Sequence, residues 1–430
     1  MPDASSNNPR RRVLISANAV SPARGSEPGV GWQVCSRLAR FHDVTVLCAA
    51  GVSGPDATCF RDEITAHGPV PGLTIRYVDP PLLSFLFQRE TALCRRTFYY
   101  TGYKSWQRAA YKVAVDLHRE KPFDLIHQLN MTGYREPGYL WKIAAPFVWG
   151  PVGGAANYPP GFYDLLGRRD RLFYSVRTGT NRLQSKSKRC RQAAEKSKHV
   201  WAISSEDVDL IRSWGVTAER MLETGATARD AAAVRTYDGT RPLRVVWSGR
   251  HLGRKALPIL LQTAAKLKDR VELVVLGDGP ETAAWKSLAA SLGVDKIRWT
   301  GNLTQADALA ESARADVLAF TSVLEGTPHV VVESLSLGLP VVCHDACGMG
   351  AAVTDECGVL IPMRNSEESV AAFTEALRSL AADPAMVVRL SRGALARAAE
   401  LSWDRIAERI AAVYERILEP ATSDAGLSGR

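Results

Sequence analysis

The sequence predicts two doubly wound α/β domains facing each other across a cleft. Three observations carry this. The 430 residues are too many for one ordinary core. Short β-branched apolar runs alternate with helical patterns along most of the chain. The runs form two series, separated by the turn-rich stretch Met221–Pro242, which has no strong period. The expected organisation is a first domain over 11–225, a second over 226–400 and a last helix over 401–419 that crosses back onto the first.

In the first series the strands are expected at "RVLISAN" (12–18), "DVTVLCAA" (43–50), "LTIRYVD" (73–79), "DLIHQL" (124–129), "PFVWGPV" (146–152) and "HVWAIS" (199–204). In the second they are "LRVVWSG" (243–249), "VELVVLG" (271–277), "KIRWTG" (296–301), "DVLAFTS" (316–322), "PVVCHD" (340–345) and "GVLIP" (358–362). Continuous apolar runs between helices mark parallel strands buried on both faces. "ALPILLQTAAKLKD" and "ETAAWKSLAASLGV" carry apolar residues at helical spacing, and Ser402 is a good N-cap for "SWDRIAERIAAVYERIL".

Composition narrows the class. Hydrophobic residues make up 46% and charged residues 23%, as in a soluble globular protein. No apolar run reaches the ~20 residues of a membrane span. The opening "MPDASSNNPRRR" has no apolar region and does not read as a secretory leader. The eight cysteines lie far apart without a CxxC pair, which suits thiols in a reducing cytosol better than a metal site at Cys343, His344 and Cys347. A cytoplasmic protein is expected. The net charge of +9 concentrates between Arg168 and Lys198, where eleven Lys/Arg meet only Asp170 and Glu195. That window is a solvated helical face or an attractor for anionic lipid or a phosphorylated substrate, so the inner face of a membrane is a candidate peripheral contact. Nucleic acid is not expected, because no binding motif accompanies the charge.

Ligands of such folds bind at the carboxyl ends of the strands, so the residues just after each strand matter most. After the first comes "AVSPARGSEPGVGW", where Gly25, Gly29 and Gly31 would let backbone approach a ligand and a helix starting near Pro28 would aim N–H groups at an anion. After "LRVVWSG" stand Arg250 and Lys255, two cations suited to a diphosphate. Backbone around Thr300, Gly301 and Asn302 is placed to face a nucleotide base. After "DVLAFTS" comes "EGTPHVVVESLSLGLPVV": Glu325 in the loop, Thr327 as a cap and Pro328 in the first helical turn. The helix start offers N–H groups to a phosphate or sugar hydroxyl. Glu325 and Glu333 flank it as acceptors for sugar and ribose hydroxyls.

That run resembles the E-x7-E signature of family 4 retaining glycosyltransferases. "WSGRHLGRKALPILLQTAAKL", "LGDGPE", "WTGN" and "LETGA" are similar to further stretches of the family in order and spacing, and "GSEPGVGW", "REPGYLW" and "FVWGPVGG" resemble one bacterial branch. The resemblance runs from about Arg12 to Leu418. It implies a GT-B fold and transfer of a sugar, with retention, from a nucleoside-diphosphate sugar to an acceptor in polysaccharide or glycoconjugate synthesis. It implies that Arg250 and Lys255 hold the donor diphosphate and that Gly25 lies beside it. Glu325 would touch the donor sugar with the backbone of Gly326, Thr327, Pro328 and His329 nearby, Glu333 would bind the ribose, and His127 would be the active-site histidine. Gly301 joins the donor-binding set. No metal or other cofactor is expected. The rival readings are a nucleotide-sugar epimerase, which would release an altered sugar from donor alone, and a non-catalytic nucleotide-sugar-binding protein, which would show no turnover. Donor and acceptor identity are open; the interleaved aromatics and cations of Phe87–Lys112 are read as a membrane interface or an amphipathic core helix.

Overall fold

The computed structural model describes residues 10–52, 58–79, 92–326 and 328–419, without the side chains of 52, 58 and 92–100. Two parallel sheets dominate it. In the first, β1 (Arg12–Ala17), β2 (Asp43–Cys48), β5 (Leu73–Tyr77), β6 (Leu125–Asn130), β7 (Phe147–Val152), β8 (Ser197–Ala202) and β9 (Glu219–Arg220) lie in the order β5-β2-β1-β6-β7-β8-β9. In the second, β10 (Leu243–Ser248), β11 (Val271–Leu276), β12 (Ile297–Trp299), β13 (Val317–Phe320), β14 (Val341–His344) and β15 (Gly358–Ile361) lie in the order β12-β11-β10-β13-β14-β15. The short strands β3 (Gly51–Val52) and β4 (Thr58–Cys59) pair antiparallel to each other. Every pairing in the two large sheets is parallel. The central strands are buried along their length, β6, β7, β13 and β14 at every residue, so their apolar runs are continuous instead of alternating.

Five helices position the site: α1 (Ser26–Leu38), α2 (Arg168–Gln184), α3 (Leu257–Leu267), α4 (His329–Ser336) and α5 (Trp403–Leu418). Helix α5 follows the second lobe in sequence, yet it packs on the first. Its stripe Trp403, Ile406, Ile410, Val413 and Tyr414 shares a core with Val30, Val34 and Leu38 of α1 and with β1. Ser402 caps it by accepting from the Arg405 amide. The crossing is pinned where the two interlobe segments meet: Ala226 donates to Leu401 O at 2.8 Å and Trp403 to Ala226 O at 3.3 Å. Gly225 is required there, because a Cβ would meet the Trp403 ring at 2.7 Å.

A second crossing runs the other way. After β7 the chain leaves the first sheet, and Tyr158, Phe162, Leu166 and Tyr174 join the core of the second lobe around Trp247, Leu257 and Val323. Contact is close: a Cβ at Gly253 would lie 2.6 Å from Leu166 and 3.0 Å from Asp170. The far end of α2 returns to the first lobe, where the Tyr134 hydroxyl donates to Asn181 O at 3.1 Å. Helix α2 therefore bridges the lobes, and a domain limit at residue 225 divides the chain but not its packing.

Over 101–112 the stretch Phe87–Lys112 is an amphipathic helix, with one face in the core and Arg108 and Lys112 exposed. Within helix Ala92–Glu120, Tyr103 and Trp106 are buried, and the Trp106 indole donates to Val78 O at 3.0 Å. Residues 87–91 lie outside the described residues, as does Thr327.

Candidate functional site

The turn between β10 and α3 is a single 3-10 turn, Gly253–Lys255, closed by Ala256 in the left-handed region (φ 48°). So tight a turn points two consecutive side chains, Arg254 and Lys255, at one partner. That partner is Glu325, in the loop after β13. Arg254 Nη1 donates to Glu325 Oε2 at 2.9 Å and to Leu324 O at 2.8 Å. The Lys255 ammonium bonds the same carboxylate oxygen, lies 4.8 Å from the Phe320 ring centroid and is buried. Ser322 Oγ adds a contact at 3.3 Å.

Burial alone would push the Glu325 carboxyl up, but the charges of Lys255 and Arg254 outweigh it and hold it below the usual carboxylate range. Burial pulls the Lys255 ammonium below its ordinary value, although Glu325 opposes the shift. Each pair is worth on the order of 4 kcal/mol before desolvation, at ~4 Å and an effective dielectric of ~20. Arg254 and Lys255 thus share the one Glu325 carboxylate.

Helix α4 starts one step further on, with Pro328 as its N-cap. The first amides of a helix have no carbonyl within it to bond, so His329 and Val330 present theirs at this end. The His329 ring is tied to Thr224 Oγ1 at 3.0 Å, and burial lowers its pKa. One turn later, Glu333 accepts from Gln305 Nε2 at 2.7 Å, with Arg229 3.9 Å away. The segment around Glu333 reads as buried in sequence, but its carboxylate is part-exposed at 28%, because α4 turns that face to a cavity.

Two interlobe cavities flank this helix start. One, of about 250 Å³, is lined by Gly25, Ser26 and Gly29 of the first lobe and by His329, Glu333 and Arg229. The other, of about 320 Å³, is lined by Gly326, Glu325 and Arg254 opposite Gly154, Asp207 and Phe173. Asp207 completes the capping box of Ser204 at the start of the helix Ser205–Ser213 and accepts from the Ala155 amide at 2.8 Å; burial pushes its carboxyl up to about 6.

Several expected residues stand elsewhere. His127 is fully buried: its Nδ1 bonds Tyr414 Oη at 2.6 Å and its Nε2 bonds Gly150 O at 2.7 Å. Burial lowers its pKa to about 4. Its Nδ1 thus ties the sheet to α5 and its Nε2 ties β6 to β7, and the residue lines neither cavity. Arg250 is exposed at the end of β10, forms no ion pair among the described residues and lines neither cavity. Gly301, with φ 69°, accepts from the Gly277 amide at 3.0 Å and likewise lines neither cavity. Helix α1 begins at Ser26, two residues before the expected start, with Gly25 as N-cap and open space at its Cβ position. Gly29 and Gly31 allow close packing of α1 on its own preceding loop, against Arg24 O and Ala19 O, and Gly29 also lines the first cavity. His344 is buried between Ser322 O at 3.2 Å and Ser369 Oγ at 3.0 Å.

Two residues escape sequence reasoning. Arg254 sits beside Lys255, but which side chain of a turn faces inward depends on its 3-10 geometry. Glu27 lies in the first turn of α1, facing the Thr132 amide and Glu223, and its Oε1 is buried without a hydrogen bond. Burial, then the Glu223 charge, pushes its carboxyl up to about 8, so at neutral pH it is a neutral acid.

Two facing parallel-sheet lobes with a helix amide end and carboxylates in the cleft define the GT-B class, and the solved structures agree. The fold matches sucrose-phosphate synthase from Thermosynechococcus elongatus (TM-score 0.64, 16% identity, 95% of this chain and 99% of that one) and Anabaena HepE, solved with UDP and glucose (TM-score 0.57, 17% identity, 95% and 100%). Residues 238–395 match the model described as glycosyl transferases group 1. The match falls on the second lobe. Among curated relatives, the D-inositol 3-phosphate glycosyltransferases of Streptomyces bingchenggensis and Rhodococcus opacus are 33% identical over 240 residues and 31% over 244, covering 50% and 51% of this chain. The chain spans about half the length of these relatives, 51% and 53%. Among the described residues, no helix is long and apolar enough to cross a membrane.

Proposed function

We propose that this protein is a retaining glycosyltransferase that moves a sugar, of hexose type, from a nucleoside-diphosphate sugar to an acceptor in the synthesis of a glycan or glycoconjugate. One observation carries the reading. The segment Glu325–Glu333 has a carboxylate clamped by two cations at one end, helix amides at its middle and a part-exposed carboxylate at its other end, and Glu325, Gly326, His329 and Glu333 line the cavities shared with the other lobe. A nucleotide-sugar has the complementary sequence of groups. Ribose hydroxyls donate to Glu333, the diphosphate meets the His329 and Val330 amides across from Gly25, and the sugar hydroxyls reach Glu325. The UDP and glucose held by Anabaena HepE, of the same fold, are in keeping with such a donor.

On this reading the donor's hydroxyls compete with Arg254 and Lys255 for Glu325. Lys255, so released, and Arg250, swinging in from the exposed end of β10, offset the charge that grows on the leaving diphosphate. That electrostatic task is the main catalytic demand of a front-face substitution, in which the leaving phosphate oxygen takes the acceptor proton while the acceptor oxygen attacks the same face. No protein nucleophile and no metal enters the scheme. Closure of the lobes would exclude water from the donor.

The donor reading is tested by calorimetry with nucleoside diphosphates. Glu333→Ala is expected to weaken affinity at least about tenfold, the loss of roughly 1.4 kcal/mol of hydrogen bonding, with a much smaller change in kcat at saturating donor. Equal affinity in the two proteins contradicts the assignment of Glu333 to the ribose.

A further inference from the structure

Helix α2 is apolar on its outer side. Leu172, Val176 and Leu183 are 68%, 58% and 73% exposed, and Phe173, next to them, is 46% exposed. At 3.6 residues per turn, the first three fall within ~40° of one another around the helix. Tyr174 and Asn181, on the opposite side, are buried. Surface helices ordinarily turn such stripes inward. Four of the six large hydrophobic residues exposed among the described residues lie on this one helix. Arg168 and Arg169 at its start and Arg182 near its end flank the stripe, and Asp170 is the helix's one acid. The following helix, Lys188–Lys196, continues the basic character with Lys188, Arg189, Arg191 and Lys196.

We propose that this face of α2 docks on an anionic lipid bilayer, with Leu172, Val176 and Leu183 entering the acyl boundary and the arginines at headgroup level. An exposed apolar stripe rimmed by cations is the pattern of a helix lying in a membrane interface. A second copy of the chain fits poorly, because pairing two such helices would oppose like charges. A nucleic acid offers the arginines phosphate but gives the apolar stripe nothing to enter. Phe173 and Arg177 of the same helix line the cavity that holds Glu325 and Arg254, so docking would set that cavity's mouth at the bilayer surface.

The test is co-sedimentation of the full chain, without donor, with vesicles of phosphatidylcholine plus phosphatidylglycerol and of phosphatidylcholine alone. Binding is expected to the first and to be at least about tenfold weaker to the second and at high salt. The triple variant Leu172→Ser, Val176→Ser, Leu183→Ser should lose about tenfold, as should Arg168→Gln, Arg169→Gln, Arg182→Gln. Both should melt and elute from a sizing column as the parent does, since every altered side chain is on the surface. No binding to anionic vesicles, undiminished binding by the serine variant, or a dimer that this variant dissociates would each overturn the proposal. Because no sugar donor is present, the result stands apart from the transferase reading.

Discussion

Lys255→Ala is expected to lower kcat by about a thousandfold, the scale of losing one preorganised charge at a developing anion, while nucleotide affinity falls far less. The separation follows from geometry. Glu333 and the α4 amides bind one end of the donor, whereas Lys255 acts only where charge grows. The substitution also leaves Glu325 buried with Arg254 as its remaining cation. Breaking a buried pair typically costs about 3–5 kcal/mol, so a lower melting temperature should accompany the loss of turnover. Steady-state kinetics on folded variant, with nucleotide affinity measured alongside, decides the matter. Unchanged kcat would remove Lys255 from the mechanism.

Glu27→Gln is expected to stabilise the protein, and increasingly so as the pH rises. The folded carboxyl is raised to about 8 from an unfolded value near 4.5. Between these values the folded state holds a proton that the unfolded chain has released. Stability from this group is therefore greatest at low pH and is lost as pH rises toward 8. A neutral amide has no such term. Above pH 8 the advantage of glutamine should reach roughly 3 kcal/mol, allowing for the burial of its own polar group, and it should nearly vanish below the unfolded value. Melting curves of both proteins across that range test this. A parallel pH dependence in parent and variant would show that Glu27 is not the buried acid the packing describes.

How much of this was legible in the sequence differs by level. Each strand expected in the two large sheets is present, because a parallel strand buried on both faces must be apolar throughout, as "DVLAF" and "PVVC" are. The return of α5 to the first lobe was readable from its place after the second lobe's last helices and the lack of a following strand. The α2 bridge was not, because the aromatic residues that cross, Tyr158, Phe162 and Tyr174, carry no periodic signature and show their purpose only against Trp247 and Leu257. The two-residue strand β9 is too short to read.

Glu325, Lys255 and Glu333 were placed by their spacing from strand and helix ends, and the structure sets Lys255 against Glu325 and Glu333 on a cavity wall. Side-chain direction was not legible. His127 was expected at a strand end, yet β6 runs on to Asn130 and the ring faces Tyr414. Arg254, passed over beside Lys255, is the guanidinium that meets Glu325. The charge excess at 168–198 was plain in composition, but that its apolar residues point outward required the helix to be seen in place.

The central claim is that a nucleoside diphosphate lies between the lobes along Glu325–Glu333. A crystal structure with a nucleoside-diphosphate sugar tests it most directly. The account predicts ribose hydroxyls on Glu333, the diphosphate between Gly25 and the amide end of α4, and the sugar within hydrogen-bond reach of Glu325. A nucleotide seated on an outer surface, or in the cleft with both glutamates untouched, would contradict it.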